Sequence, residues 1–274
     1  MTEVTLEYGG RRQTAQLDEP LSIAIPLQFD GAQPNHFGAP RAHASALKEG
    51  GWIGDVVAGG SVNCAQLTLV PHCNGTHTEC VGHLTEDQVS LHDVLRGGLH
   101  LARLLTVTPT RAIDTTESLD PAGGPAEWVI TGAALTTALA AWPGDSDALV
   151  IRTLPNDATK CHTTYAGAAP APYLTAAAAT QLVRAGVRHL VTDLPSLDRA
   201  HDGGRLLAHR IFWGLDAPSR RAADARRPFG TVTELAWIAP TVPDGWYLLD
   251  LQIPAFVSDA APSRPLLYAL YPHD

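Results

Sequence analysis

The chain predicts a mixed α/β fold, and three observations carry that reading. A short apolar run, Ala148-Leu149-Val150-Ile151-Arg152, and a strand-like segment, Val187 to Asp193, are separated by an Ala-rich segment with helix signals at both ends. A strand–helix–strand order of this kind predicts a parallel pair joined by a right-handed crossover. Alternating segments near both ends of the chain add further strands, and ligand-type side chains crowd where one strand ends.

Taken in order, Leu21 to Leu27 alternates and is rich in Ile and Leu, as a strand would be. Ser61 to Val70 also alternates and leads into the ligand-rich stretch at its C-terminal end. Thr131 to Trp142 is rich in Ala and Leu with a proline just after it, which predicts a helix. Thr175 is placed to cap a helix running to Arg184, with Gly186 as its stop. Trp246 to Ile253 and Leu266 to Tyr271 read as two more strands. The segment Ser219 to Pro228 has four arginines, no apolar period and a closing proline, and reads as a solvated surface insertion, with a lid or a contact for an anionic partner as the alternative.

Composition narrows the function. The 274 residues are enough to bury a substantial core and are read as a single domain, 1–274. With 45% hydrophobic and 17% charged residues, the chain resembles an ordinary globular enzyme. A formal charge of −9 without a basic stripe argues against nucleic-acid or anionic-membrane partners. No apolar run reaches the roughly 18–20 residues that span a bilayer. The first residues lack a basic segment followed by an apolar one, so no signal peptide and a cytoplasmic location are expected. The four cysteines have no zinc-ribbon or thioredoxin spacing and are expected as thiols or ligands rather than disulfides.

The stretch from His72 to His83 holds three imidazoles, two thiols and one carboxylate. Those groups bind first-row metals or move protons at neutral pH. His77 and Glu79 are two apart, so on an extended segment they share a face. Cys73 has the same parity if the strand continues, although Gly75-Thr76 offers a turn; its plain reading is a small buried thiol. Cys80 has the opposite parity and reads as structural. His72, adjacent to Cys73, is expected to face the other way, beside the ligands or in solvent. His83 lies past Gly82, where a loop can fold it back. Without further information His209 reads as a packed or exposed histidine, and Asp193, Ser196 and Asp198 as residues that brace a turn. Trp52, in a Gly-rich loop, either lines a substrate mouth or pins the loop. His36 and His43 read as surface residues, with His36 on a Pro-containing loop that could cover the pocket.

Five stretches together resemble the metal-dependent cyclase family, which includes bacterial kynurenine formamidases and isatin hydrolase. Asn74-Gly75-Thr76-His77-Thr78-Glu79-Cys80-Val81-Gly82-His83 resembles its His-x-Gly-Thr-His-x-Asp-x-Pro-x-His signature. Gly186 to Asp198, Ala208-His209-Arg210, Val232-Thr233-Glu234-Leu235 and Ala261-Pro262-Ser263-Arg264-Pro265 follow in the family's order. The resemblance implies an α/β fold with a barrel-like core and helices outside. It implies metal ligands at Cys73, His77, Glu79, His209 and Glu234, with one or two divalent ions. Glu234 and His83 are the implied catalytic residues, His83 as the proton-transfer group. The resemblance also implies a homodimer or higher homo-oligomer.

Three positions depart from the signature: Cys73 stands for a His, Glu79 for an Asp and Val81 for a Pro. A thiolate ligand favours zinc over manganese, and the longer Glu alters any bridging geometry. The expected activity is hydrolysis of a small amide, in its most specific form an arylformamidase converting N-formylkynurenine to kynurenine and formate in tryptophan breakdown. The alternatives are opening of a cyclic amide or lactone, and a non-catalytic metal or small-molecule binder on the same fold. A dehydratase or polyketide cyclase is more remote.

Overall fold

Among the described residues eleven strands form one mixed sheet. In chain order they are β1 (Glu3–Tyr8), β2 (Arg11–Gln16), β3 (Leu21–Ser22), β4 (His77–Glu79), β5 (Leu99–Val107), β6 (Ala148–Thr153), β7 (His189–Thr192), β8 (Thr231–Glu234), β9 (Gly245–Asp250), β10 (Ala260–Pro262) and β11 (Leu266–Pro272). Among the described residues five α-helices accompany them: α1 (Pro71–Asn74), α2 (Leu91–Val94), α3 (Gly132–Ala138), α4 (Ala176–Arg184) and α5 (Leu207–Trp213). The computed structural model describes residues 2–8, 10–140, 146–165 and 171–272.

The spatial order is β1-β2-β11-β9-β5-β6-β7-β8-β4-β10, with β3 on β11. Strands β5, β6, β7 and β8 are parallel, and antiparallel strands extend the sheet on both sides. Every residue of β6, β7 and β8 is buried, as expected of parallel strands covered on both faces. The two-residue period divides β6 between two cores. Leu149 and Ile151 pack with Leu135 of α3, Leu182 of α4 and Phe212 and Trp213 of α5. Ala148 and Val150 pack on the opposite side with Leu91 and Val94 of α2, Leu249 and Leu267. Among the described residues the sheet is an open path ending at β1 and β10, so the expected barrel-like core is replaced by a mixed sheet with few helices.

Most local expectations hold. The Thr175 hydroxyl accepts from Ala178 N and opens α4, and Gly186 follows its end at φ 78°. Thr131 caps α3 in the same way, but α3 ends at Ala138, short of the expected Trp142, which itself lies outside the described residues. Two elements differ. Of Leu21 to Leu27, only β3 and an isolated bridge at Ala24 are strand-like. Of Ser61 to Val70, only Ala65–Thr68 is extended, paired in an exposed ribbon with His43–Ala46. The strand does not run into the ligand-rich stretch because Pro71 opens α1, where its missing N–H costs nothing.

Candidate metal centre

Strand β4 lies between β8 and β10, antiparallel to both. Its register sets His77 opposite Glu234 and Glu79 opposite Val232. His77, Glu79 and Glu234 therefore share a face, while Thr78 and Thr233 meet on the other side through hydroxyls 2.7 Å apart. Thr76 sets where β4 starts: its hydroxyl accepts from Ile25 N and donates to Leu235 O. Leu235 takes φ 52°, a left-handed turn that ends β8 immediately after Glu234.

Helix α5 brings His209 over that face. Asp198 accepts from Ala208 N and His209 N, satisfying the helix's first donors, and its Oδ2 lies 2.6 Å from His209 Nδ1. The imidazole proton belongs on Nδ1, because Asp198 there can only accept. In the neutral ring His209 Nε2 then carries the lone pair, 2.9 Å from Glu79 Oε1 and 3.3 Å from Glu234 Oε1. His77 repeats the arrangement. Its Nδ1 donates to Gly75 O at 2.9 Å, and its Nε2 points to Glu234 Oε2 at 3.6 Å. All four residues are at most 3% exposed, yet His77 Nε2, His209 Nε2 and Glu79 Oε1 have no hydrogen-bond partner. Two imidazole lone pairs and two carboxylates face a buried space as two overlapping groups joined at Glu79, one with His72 and His77 and one with His209 and Glu234, and such a set is unfavourable without a cation.

The α1 turn supplies a third imidazole. His72 Nδ1 is 2.8 Å from Glu79 Oε2, and its Nε2 is 3.0 Å from Asp259 Oδ2. His83 is returned by a 3₁₀ turn, Val81–Leu84, with Nδ1 3.9 Å from Glu79 Oε2 and 3.7 Å from Asp259 Oδ2. Gly82 is required in that turn, since a Cβ there would lie 2.3 Å from Val89 O. His72, His83 and Asp259 are the partly exposed members, so the site opens to solvent on their side. A cavity of 330 Å³ lined by Gly82, Thr85, Val89 and Asp259 adjoins that opening rather than the buried ligand group.

Charge balance follows the geometry. Burial pushes the Glu79 carboxyl up, but the charges of His83 and His209, and then the close contacts of His209 and His72, hold it well below its usual range. Burial opposes protonation of His209, and Glu79 and Asp198 outweigh it, holding its pKa well above the usual value. His72 is likewise disfavoured by burial yet raised to about 10 by Asp259 and Glu79. In the metal-free protein, then, protons on imidazole neutralise the carboxylates, and a metal would have to displace them.

His77, Glu79, His209 and Glu234, the residues that the resemblance groups, lie close together. Cys73 does not join the group; among the described residues no ligand cluster includes it. The parity argument assumed an extended chain, but residues 71–74 are helical and His72, not Cys73, reaches Glu79. Cys73 is buried, its thiol pushed up by that burial and then by the Glu234 charge. Cys80 is structural, packed beneath the site with its thiol pushed up to about 12 by burial. Trp52 lies half-exposed on a two-residue ribbon with Lys48–Glu49, outside the ligand group. His36, expected at the surface, is buried: Asn35–His36 pairs with Thr164–Tyr165, and the ring packs against Phe37 and Tyr165. Asp259 had no signal in the sequence beyond standing two residues before the Ala261-Pro262 stretch.

Comparison with known proteins agrees with this architecture. The sequence model of the family described as Putative cyclase matches residues 16–199, more than half of the chain. No curated protein matches. Among solved structures, a predicted metal-dependent hydrolase from Bacillus stearothermophilus superposes with a TM-score of 0.59 at 16% identity, covering 91% of this chain and 98% of its own. An isatin hydrolase bound to the product analogue thioisatinate gives 0.57 at 16% identity, with 93% of each chain covered. Isatin hydrolase A from Labrenzia aggregata gives 0.56 at 13% identity, covering 92% of this chain and 93% of its own. At these identities the likeness is one of fold. No helix among the described residues is long and apolar enough to cross a membrane. The matched segment and the shared architecture lead to one assignment: the chain belongs to the Putative cyclase family.

Proposed function

We propose that this protein is a metal-dependent hydrolase of a small amide, with arylformamidase chemistry as the specific form. The observation that carries the reading is the set of buried atoms without a hydrogen-bond partner, His77 Nε2, His209 Nε2 and Glu79 Oε1, held in two overlapping ligand groups that share Glu79. His72, His77, Glu79, His209 and Glu234 would hold the ion or ions. Without the thiol, the donor set is imidazole and carboxylate, which suits zinc and manganese alike; zinc is the first choice. Such an ion supplies Lewis acidity and makes water acidic enough to act as a nucleophile near neutral pH.

The chain's own residues do the rest. Glu79 and Glu234 anchor the charge, and Asp198 and the Gly75 carbonyl fix the two imidazole tautomers. Glu234 Oε1 also accepts from Leu197 N at 2.8 Å, which ties it to the loop carrying Asp198. His83 stands at the open side within 3.7 Å of Asp259 Oδ2, suited to pass a proton to the departing amine. Hydrolysis then splits the C–N bond, water giving its oxygen to the acyl group and its protons to amine and acid.

The test is turnover of N-formylkynurenine by the purified protein before and after chelation, with zinc or manganese restored. Metal-dependent release of kynurenine and formate is expected. Absence of turnover by the metal-loaded protein would overturn the arylformamidase form. The likeness to isatin hydrolases favours cyclic amides and lactones as the next class to assay. We further propose that the single domain works as a homodimer. The exposed apolar residues Val56, Val57, Val62 and Leu67, on and beside the ribbon 43–68, suit contact with a second copy. Light scattering showing a monomer at micromolar concentration would dismiss that reading.

A further inference from the structure

A second cluster lies at the opposite ends of the parallel strands. His100 is the second residue of β5, Asp147 immediately precedes β6, and His189 opens β7. His189 pairs in register with Thr231, three residues before Glu234. At about 3.3 Å per residue the cluster is roughly 10 Å along the sheet from the site above.

Three features of its geometry point to a cation. First, both imidazoles address the same carboxylate oxygen. His100 Nδ1 is 3.5 Å and His189 Nε2 is 3.9 Å from Asp147 Oδ2. These separations are too long for the ~2.7–2.9 Å of a charge-assisted hydrogen bond. They are nearer the roughly 3.3–3.4 Å that separates tetrahedral ligands held about 2.0–2.1 Å from a zinc ion. Second, the far nitrogen of each ring is already engaged. His100 Nε2 donates to Gly97 O at 3.3 Å, and His189 Nδ1 is 2.9 Å from Thr231 Oγ1. A carbonyl can only accept, so neutral His100 carries its proton on Nε2 and turns a lone pair toward the carboxylate. That contact is repulsive unless a cation lies between. Fixing a ring through its far nitrogen is also how proteins orient metal-bound histidine. Third, the frame is rigid: Arg188 N and His189 N both donate to Asp147 O, at 2.8 and 2.9 Å, and the two rings lie 4.1 Å apart.

We propose that His100, Asp147 and His189 form a second divalent-metal site, of zinc-type N/N/O chemistry, that ties the N-terminal ends of the central parallel strands together. The side chain of His189 is 2% exposed and that of Asp147 is 43% exposed. An ion there is reached from the Asp147 side, where water completes its shell. Arg188 is the nearby positive group that an ion has to tolerate. This proposal is independent of the hydrolytic reading, since no residue is shared.

The test measures bound zinc per chain after gel filtration, with cobalt(II) absorption as a second readout. It compares the full-length parent with His100→Ala and Asp147→Asn, and each is repeated in a Glu79→Gln/His209→Ala background. The expected result is loss of one zinc equivalent in both variants and in both backgrounds. The parent's cobalt spectrum should be that of nitrogen and oxygen ligands without thiolate. Zinc should raise the parent's Tm more than that of either variant. Asp147→Asn keeps side-chain shape and guards against a folding defect in His100→Ala. Equal zinc content in parent and variants, or no zinc bound in the Glu79→Gln/His209→Ala background, would overturn the proposal and leave a proton as the shared cation.

Discussion

His209 Nδ1 lies 2.6 Å from Asp198 Oδ2, and this single contact decides which nitrogen of His209 faces the two buried glutamates. Asp198 also accepts two backbone N–H groups at the start of α5, so one carboxylate both starts the helix and sets the imidazole tautomer. Asp198→Ala should therefore weaken metal binding by about 10–100-fold, the usual effect of removing a partner behind a metal-bound histidine. Lost capping should also cost about 1 kcal/mol of stability. Zinc titration and thermal unfolding would check both parts, and unchanged affinity would remove Asp198 from its positioning role.

His72 and Cys73 make opposite predictions although they are neighbours. His72 reaches Glu79 at 2.8 Å, while Cys73 belongs to no ligand cluster among the described residues. His72→Ala should lower metal content or affinity measurably, whereas Cys73→Ser should leave both near the parent's values. The reverse pattern in metal analysis would restore the thiol as a ligand.

His83 stands at the open side of the site, in contact distance of Asp259 but outside the buried group. His83→Ala should reduce turnover by about 10²–10⁴-fold, the range for a lost proton-transfer group, with metal content unchanged. A parallel loss of metal would place His83 among the ligands instead.

Gly82 is needed for space rather than for a left-handed backbone. A Cβ at this position would meet Val89 O at 2.3 Å and Asp259 Cβ at 3.1 Å. Gly82→Ala should destabilise the protein by about 1–3 kcal/mol, as overpacking does, and move both His83 and Asp259. Denaturant unfolding together with turnover would show a loss in each; a neutral result would mean that the turn shifts freely.

The parts of the fold set by local chemistry were legible. Thr175 and Gly186 bracket α4 because a hydroxyl cap and a left-handed glycine act within one turn of the helix. Val187 to Asp193 reads as a strand because Val187, Leu190, Val191 and Thr192 supply β-branched and apolar residues, although Arg188 and His189 interrupt the run. The two-residue spacing of His77 and Glu79 placed both on one face, and β4 is indeed extended there. The local pattern misled at Ser61 to Val70, where only Ala65–Thr68 is extended, so the condition under which Cys73 would share the parity of His77 is not met. Proline cannot donate to a ladder and instead starts α1, which turns His72 inward.

By itself, then, the sequence determined the helix and strand types, the parallel pair and the residue kinds available for a metal, because propensity, capping and side-chain parity act over a few residues. The tertiary structure decided which of those residues meet. Glu234 reaches His77 only through the β4–β8 register, His209 only through the packing of α5, and Asp259 is brought to His72 across 187 positions of chain. Sheet order also put His100, Asp147 and His189 side by side. Such contacts depend on how distant strands pair and how helices cover them, and no local pattern encodes that register.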